Sequence, residues 1–290
     1  MDSIEALLDT MVKRGASDLH LKSGSPPVIR VDGELYTLGD EPIMPEGMKE
    51  YAAVIMSDKQ IAIFSEQNEI DFAYGIEDIG RFRVNIFRQR GSISIAMRQV
   101  VGKIPGFDEL HLPSVIKRLA LEPRGMILVT GTTGSGKTTT LAAMIDYINQ
   151  NVRRHIVTIE DPIEILHKDN KSMINQREVG IDTRSYSTAL KYVLRQDPDV
   201  IFIGEMRDLE TVRTAMTASQ TGHLVLSTLH TIDVSETINR IIDFFPLYQQ
   251  KQVRILLAGS LRGIISQRLL PRADGKGRVP ALELMVMTKR

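Results

Sequence analysis

The chain has 290 residues, with 36 Lys and Arg set against 36 Asp and Glu, 42% hydrophobic residues, 25% charged residues and no cysteine. That length suits two domains better than one. The zero net charge argues against a dedicated nucleic-acid binder, which needs a basic excess to neutralise phosphates, and the missing cysteines exclude disulfides, thiolate zinc ligands and a thiol nucleophile.

At the amino terminus, Met1, Asp2, Ser3 and Glu5 stand where a secretory signal would need a basic segment and an apolar core, so a cytoplasmic location is expected. The most apolar runs, MILVTG, DVIFIG and HLVLSTL, are strand-sized. They fall far short of the ~18–20 residues that span a bilayer, and direct membrane insertion is not expected.

Ile4, Leu7, Leu8, Met11 and Val12 recur at helical spacing up to Gly15, which predicts a first amphipathic helix. Short β-like runs follow at 28–31, 72–75, 82–87 and 93–97, separated by turn formers. Residues 1–100 therefore read as a small α+β domain. The stretch 101–113, VGKIPGFDELHLP, carries two prolines and two glycines without a sustained period, and is expected to be a linker. From residue 114 to 290, strand-like runs at 126–130, 156–159, 200–203 and 224–227 alternate with helical stretches. That is the pattern of an α/β domain with a parallel, helix-covered sheet.

Directly after MILVT comes GTTGSGKT, followed by Leu141, Met144, Ile145 and Ile148 on one helical face. A G-x-x-x-x-G-K-S/T match between a buried strand and a helix N-terminus is a phosphate loop in its working context. Gly131, Thr132, Thr133, Gly134, Ser135, Gly136, Lys137, Thr138 and Thr139 are the expected nucleotide-binding residues. The glycines let backbone N–H groups turn toward phosphate oxygens. Lys137 supplies a charge for the β- and γ-phosphates, and the Thr138 hydroxyl can ligate Mg²⁺.

Hydrolysis also needs a group that orients or deprotonates water. Glu205 follows the strand VIFIG, where chemistry gathers in open α/β sheets, and is the general-base candidate. Gly204 stands where a Walker B aspartate would be expected, so Glu205 is assigned to water rather than to the metal. Glu160, Asp161 and Glu164 follow the strand HIVTI at a turn marked by Pro162. They are candidates to hold Mg²⁺, Glu164 first among them, although acids at such a turn also serve as helix caps. His230 ends the strand LVLSTL and His223 begins it. Either imidazole could donate to a phosphate oxygen, or be a satisfied structural residue.

Between residues 81 and 98 there are five arginines and no acid. Strand alternation puts Arg81 and Arg83 on one face and Phe82, Val84 and Ile86 on the other. Arg81, Arg83 and Arg98 are candidates for arginine fingers toward a neighbouring subunit, the alternatives being a solvated face or a patch for an anionic partner.

Taken together, TGTTGSGKTTT, TIEDPIE, DPDVIFIGEMRD and TGHLVLSTLHT resemble the secretion ATPase superfamily of type IV pili and type II secretion. ASDLHLKSGSPPVIRVDGEL and the QREVG segment are similar to its pilus-retraction branch. The resemblance implies a PAS-like N-terminal domain, a RecA-like P-loop ATPase domain and a homohexamer using ATP and Mg²⁺. It also implies a place at the cytoplasmic face of the inner membrane, with a platform protein of the pilus machine as partner. Through it, Glu160 to Glu164 become the Asp box, Gly204 and Glu205 the Walker B end, and Thr228 to His230 the His box. Retraction motors continue past the ALELM strand into helices bearing a short motif, whereas this chain stops at Arg290, so that tail is expected to be absent. The expected function is a motor that hydrolyses ATP to power pilus retraction. The alternatives are an accessory retraction paralogue, an extension or secretion ATPase, a nucleotide sensor that does not hydrolyse, and a DNA translocase. Extension ATPases commonly carry a tetracysteine zinc module, which a cysteine-free chain cannot build.

Overall fold

A computed structural model describes residues 3–100, 104–273 and 277–288. The chain divides into two compact units, Met1–Gly102 and Lys103–Arg290.

In the first unit the Ser3 hydroxyl caps α1 (Ile4–Lys13) by accepting from the Ala6 N–H at 3.2 Å, and Ile4, Leu7, Leu8 and Met11 form its buried stripe. Strands β1 (Asp18–Lys22), β2 (Val28–Val31), β3 (Glu34–Thr37), β4 (Glu69–Ile76), β5 (Gly80–Gln89) and β6 (Ser92–Val100) form a sheet in the order β3-β2-β1-β6-β5-β4. All of its pairings are antiparallel. Phe82, Val84 and Ile86 of β5 are fully buried among α1 and two further helices, α2 (Pro45–Ile55) and α3 (Asp58–Gln67). Arg81 and Arg83 occupy the opposite face, as alternation requires. Neither α2 nor α3 is evident in the sequence reading, yet each carries its own signal. Met48, Tyr51, Ala52 and Ile55 make the stripe of α2, and the Gln60 side chain accepts from the Ser57 N–H at 2.8 Å to open α3.

Of the expected linker 101–113, residues 104–113 belong to the second unit, and 101–103 lie outside the described residues. Phe107 and Leu112 are 5% and 7% exposed, and the Phe107 ring meets Tyr147 edge-on at 5.3 Å. Ile104, Phe107, Leu110 and Leu112 are separated by prolines, Gly106 and charged residues into neither a sustained helical nor a strand period, so the packing leaves no sequence pattern.

Its elements in order are α4 (Ser114–Ala120), β7 (Gly125–Thr130), α5 (Lys137–Asn151), β8 (His155–Glu160), β9 (Met173–Glu178), α6 (Tyr186–Val193), β10 (Val200–Ile203), α7 (Leu209–Gln220) and β11 (Leu224–Leu229). They are followed by α8 (Val234–Asp243), α9 (Leu247–Ser260), β12 (Leu261–Pro271) and β13 (Arg278–Val286). The sheet order is β13-β12-β7-β11-β10-β8-β9, parallel throughout except for the β12–β13 pair. Alternate residues of the central strands feed two cores. Ile127, Val129, Phe202 and Leu226 pack with α4 and α5, while Met126, Leu128, Ile201 and Val225 pack with α6 to α9. Burial on both faces explains why these strands read as unbroken apolar runs. β7 and β8 follow one another in the chain but flank β11 and β10, so the carboxyl ends of all four strands share one edge. Among the described residues no helix is long and apolar enough to cross a membrane.

The loop from residue 161 to 172 is tied to α5. Asn149, 2% exposed, donates to the Lys168 carbonyl at 2.8 Å and accepts from the N–H groups of Asn170 and Ser172 at 3.0 and 3.2 Å. Within this loop burial pushes the His167 imidazole down from 6.5 to about 4. Between those two values the unfolded chain binds a proton that the folded one refuses, so stability falls as pH drops from 6.5 toward 4 and is unaffected by this group above 6.5. His167→Leu should remove that component. Denaturant unfolding at a series of pH values should show the wild type losing on the order of 2–3 kcal/mol more than the variant between pH 7 and 4.

Candidate functional site

The phosphate loop joins the end of β7 to the start of α5 and rests on β12. At Gly131, φ is +144° and a Cβ would lie 2.3 Å from the Gln267 carbonyl oxygen; at Gly136, φ is +88° and a Cβ would lie 2.7 Å from Gln267 Nε2. Both positions demand glycine for conformation and for space. Gln267 is itself held by the Thr140 hydroxyl, which donates to its Oε1 at 2.8 Å.

Lys137 folds back over the loop, its Nζ donating to the carbonyls of Gly131 at 2.9 Å and Thr132 at 3.0 Å. Burial lowers its pKa, while Glu205 and Glu164 act in the opposite sense. Among the described residues the buried Ser135 hydroxyl has no hydrogen-bond partner. A loop with glycine-permitted turns, a mobile ammonium and an unpaired hydroxyl has the donor set that a polyphosphate satisfies.

Above the loop is a cleft of about 500 Å³, lined by Thr133, Gly134, Gly136, Lys137, Thr138 and Thr139 of the loop together with the acids Glu160, Asp161, Glu164 and Glu205 and with His230. Gly131, Thr132 and Ser135 belong to the loop but do not line the cleft.

The acids come from the ends of two strands. Glu160 closes β8, is 6% exposed, and accepts from the Thr158 hydroxyl at 2.6 Å. Burial raises its carboxyl to about 7, against the lowering effect of hydrogen bonds from Thr158 and Gln176. Glu205 lies two positions past the end of β10, after Gly204. Arg207 donates to its Oε2 from Nε at 2.8 Å and approaches through a second nitrogen at 2.7 Å, and His230 Nε2 stands 3.4 Å from Oε1. Thr228 ties β11 to this point by donating to the Gly204 carbonyl at 2.6 Å. Among the described residues no three acidic or histidine side chains converge into a preformed metal cage. Mg²⁺ does not need one, because it keeps several waters and binds through one or two protein oxygens plus phosphate, a set that the Thr138 hydroxyl and Glu164 suit.

A family model described as type II/IV secretion system protein matches residues 2–288. The chain belongs to this family. It is 48% identical to the type IV pilus retraction ATPase PilT of Pseudomonas aeruginosa, over 98% of this chain and 83% of that protein. It is 44% identical to the type IV pilus ATPase PilU of the same organism, over 98% and 74%. Among solved structures, that of the pilus retraction motor PilT with bound ADP superposes with a TM-score of 0.94 at 52% identity, covering 100% of this chain and 84% of the other.

Not every expected residue of this secretion-family chain reaches the cleft. His223 precedes β11 at the opposite end of the strand from His230, with its Nδ1 3.0 Å from the Ala218 carbonyl at the end of α7. It does not line the cleft. Arg81, Arg83 and Arg98 belong to the first unit, where Arg98 Nε donates to Asp18 Oδ1 at 2.7 Å.

The sequence reading missed Tyr186, Arg207 and Arg278, which also line the cleft. Arg207 was discoverable beside Glu205. Tyr186 and Arg278 reach the cleft only through the tertiary fold. Tyr186 also supplies a physical reason for Gly204: a Cβ there would lie 2.9 Å from the tyrosine hydroxyl and 3.3 Å from the Ile159 carbonyl. Burial pushes this phenol well above its usual range, with Asp161 adding in the same direction. Gly204→Ala should therefore destabilise the protein by about 1–3 kcal/mol, and Tyr186→Phe in that background should recover at least half of the loss. Denaturant midpoints of the two single variants and the double variant measure this, and strict additivity would contradict the contact.

Proposed function

We propose that the protein is a P-loop ATPase motor that hydrolyses Mg-ATP and powers type IV pilus retraction. The observation that carries this reading is the convergence of Lys137 and Glu205, from the ends of different parallel strands, on one cleft. Lys137 would exchange the Gly131 and Thr132 carbonyls for β- and γ-phosphate oxygens. Thr138 and Glu164 would hold Mg²⁺, which when bound neutralises charge on those oxygens. Glu205, once released from Arg207, would take the proton of the attacking water, with His230 beside it to sense the γ-phosphate.

The same reading makes the chain a homohexamer in which Arg81, Arg83 or Arg98 serves a neighbouring subunit's phosphate. It places the ring in the cytoplasm against an inner-membrane platform protein, with residues 1–100 as a PAS-like domain and 114–290 as the RecA-like ATPase domain. An accessory retraction role is the second reading, since the chain is nearly as similar to the type IV pilus ATPase PilU, at 44% identity, as to PilT, at 48%.

Lys137→Ala should lose both nucleotide affinity and turnover. Glu205→Ala should bind nucleotide within a few-fold of the wild type while phosphate release falls by ~10²-fold or more. Near-normal phosphate release from the Glu205→Ala protein would overturn the general-base assignment.

A further inference from the structure

The QREVG segment runs through the end of β9, beside the cleft rather than in it, and the hydrolysis scheme leaves it without a role. In the parallel register Gln176 lies opposite Thr158, so both side chains stand on the face of the sheet from which Glu160 is reached. The Gln176 Nε2 donates to Glu160 Oε1 at 3.0 Å and to the Ile165 carbonyl at 2.9 Å, and its Oε1 accepts from the His167 N–H at 2.8 Å. Only one orientation of the amide satisfies all three partners, since a flip would set the NH₂ group against an N–H and the oxygen against two acceptors.

The Glu164 backbone also acts to lower the Glu160 pKa, which places the start of the loop against the same carboxylate. Farther along β9, Glu178, 4% exposed, accepts from the Ile163 N–H at 3.1 Å. The loop bearing Glu164 is thus fastened to β9 at residues 163, 165 and 167, and to α5 through Asn149.

We propose that Gln176 is a positioning residue for ATP hydrolysis, whose side-chain amide locks the Glu160 carboxylate to the loop that carries Glu164, so that the two acids hold a fixed spacing over the phosphate loop. This role rests on the ATPase reading above. Gln176 itself does not line the cleft. Partners of this kind, one step removed from a metal or nucleotide, typically change activity or metal affinity 10–100-fold when removed.

Gln176→Leu removes both donors and the acceptor at similar volume. Gln176→Glu keeps the acceptor for His167 and loses the donors. In the full chain, amide hydrogen exchange of the segment 163–168 should quicken at least about tenfold in the Leu variant, and also in the Glu variant, where a carboxylate oxygen would face Glu160 and the Ile165 carbonyl. Phosphate release with Mg-ATP should fall about 10–100-fold in both, with KM for ATP changed less than about threefold and the Mg²⁺ concentration for half-maximal binding of a fluorescent ADP analogue raised. Unchanged exchange in the Leu variant would show that the lock does not exist. Turnover within threefold of the wild type despite faster exchange would make the amide a loop anchor only, and would overturn the role. A wild type that releases no phosphate would instead overturn the ATPase reading and this role with it.

Discussion

Burial of the central strands on both faces is the constraint on which the second unit depends. β7, β8, β10 and β11 contribute residues with essentially no exposure to two cores, one on each side of the sheet. A strand with no solvent face has no room for working polar groups along its length, which leaves its ends. The parallel register then places the carboxyl ends of all four strands together, with the phosphate loop after β7, Glu160 at the end of β8, Glu205 just beyond β10, and Thr228 and His230 at and after the end of β11. Gathering the site therefore requires no long-range recognition between polar residues. The apolar pairing that builds the sheet also builds the cleft.

The cleft satisfies much of its own polarity. Lys137 is held by two loop carbonyls, and Glu205 is held by Arg207 with His230 in attendance. Binding is then an exchange of hydrogen-bond partners rather than the creation of bonds from unpaired groups, so its net free energy is far smaller than the sum of the new contacts. The same exchange couples ligand to geometry. A phosphate that draws Lys137 away from the Gly131 and Thr132 carbonyls, or a water that draws Glu205 away from Arg207, changes the arrangement of residues on two different strands.

Much of this architecture is legible in the residues. The unbroken run VIFI is β10 to the residue, and Gly131 with Gly136 declares a loop that only glycine can form. Other parts depend on contacts between residues distant in the chain. Thr140 and Gln267 are 127 positions apart, and nothing near Gln267 in the β12 sequence marks it as the floor of the phosphate loop. The reason for Gly204 lies in Tyr186, at the start of α6. His223 and His230 both border β11, and strand direction alone decides that only the second faces the cleft. The stretch 104–113 looks like a linker because composition reports prolines and glycines, whereas the burial of Phe107 and Leu112 is a property of the folded core.

The central claim is that this cleft hydrolyses ATP rather than merely holding it. Its most direct test is steady-state phosphate release by the wild-type protein with Mg-ATP over a range of protein concentrations. The account predicts release well above the buffer background, with turnover per subunit rising as concentration favours assembly. Nucleotide bound at the highest concentration with phosphate release no greater than buffer would contradict it.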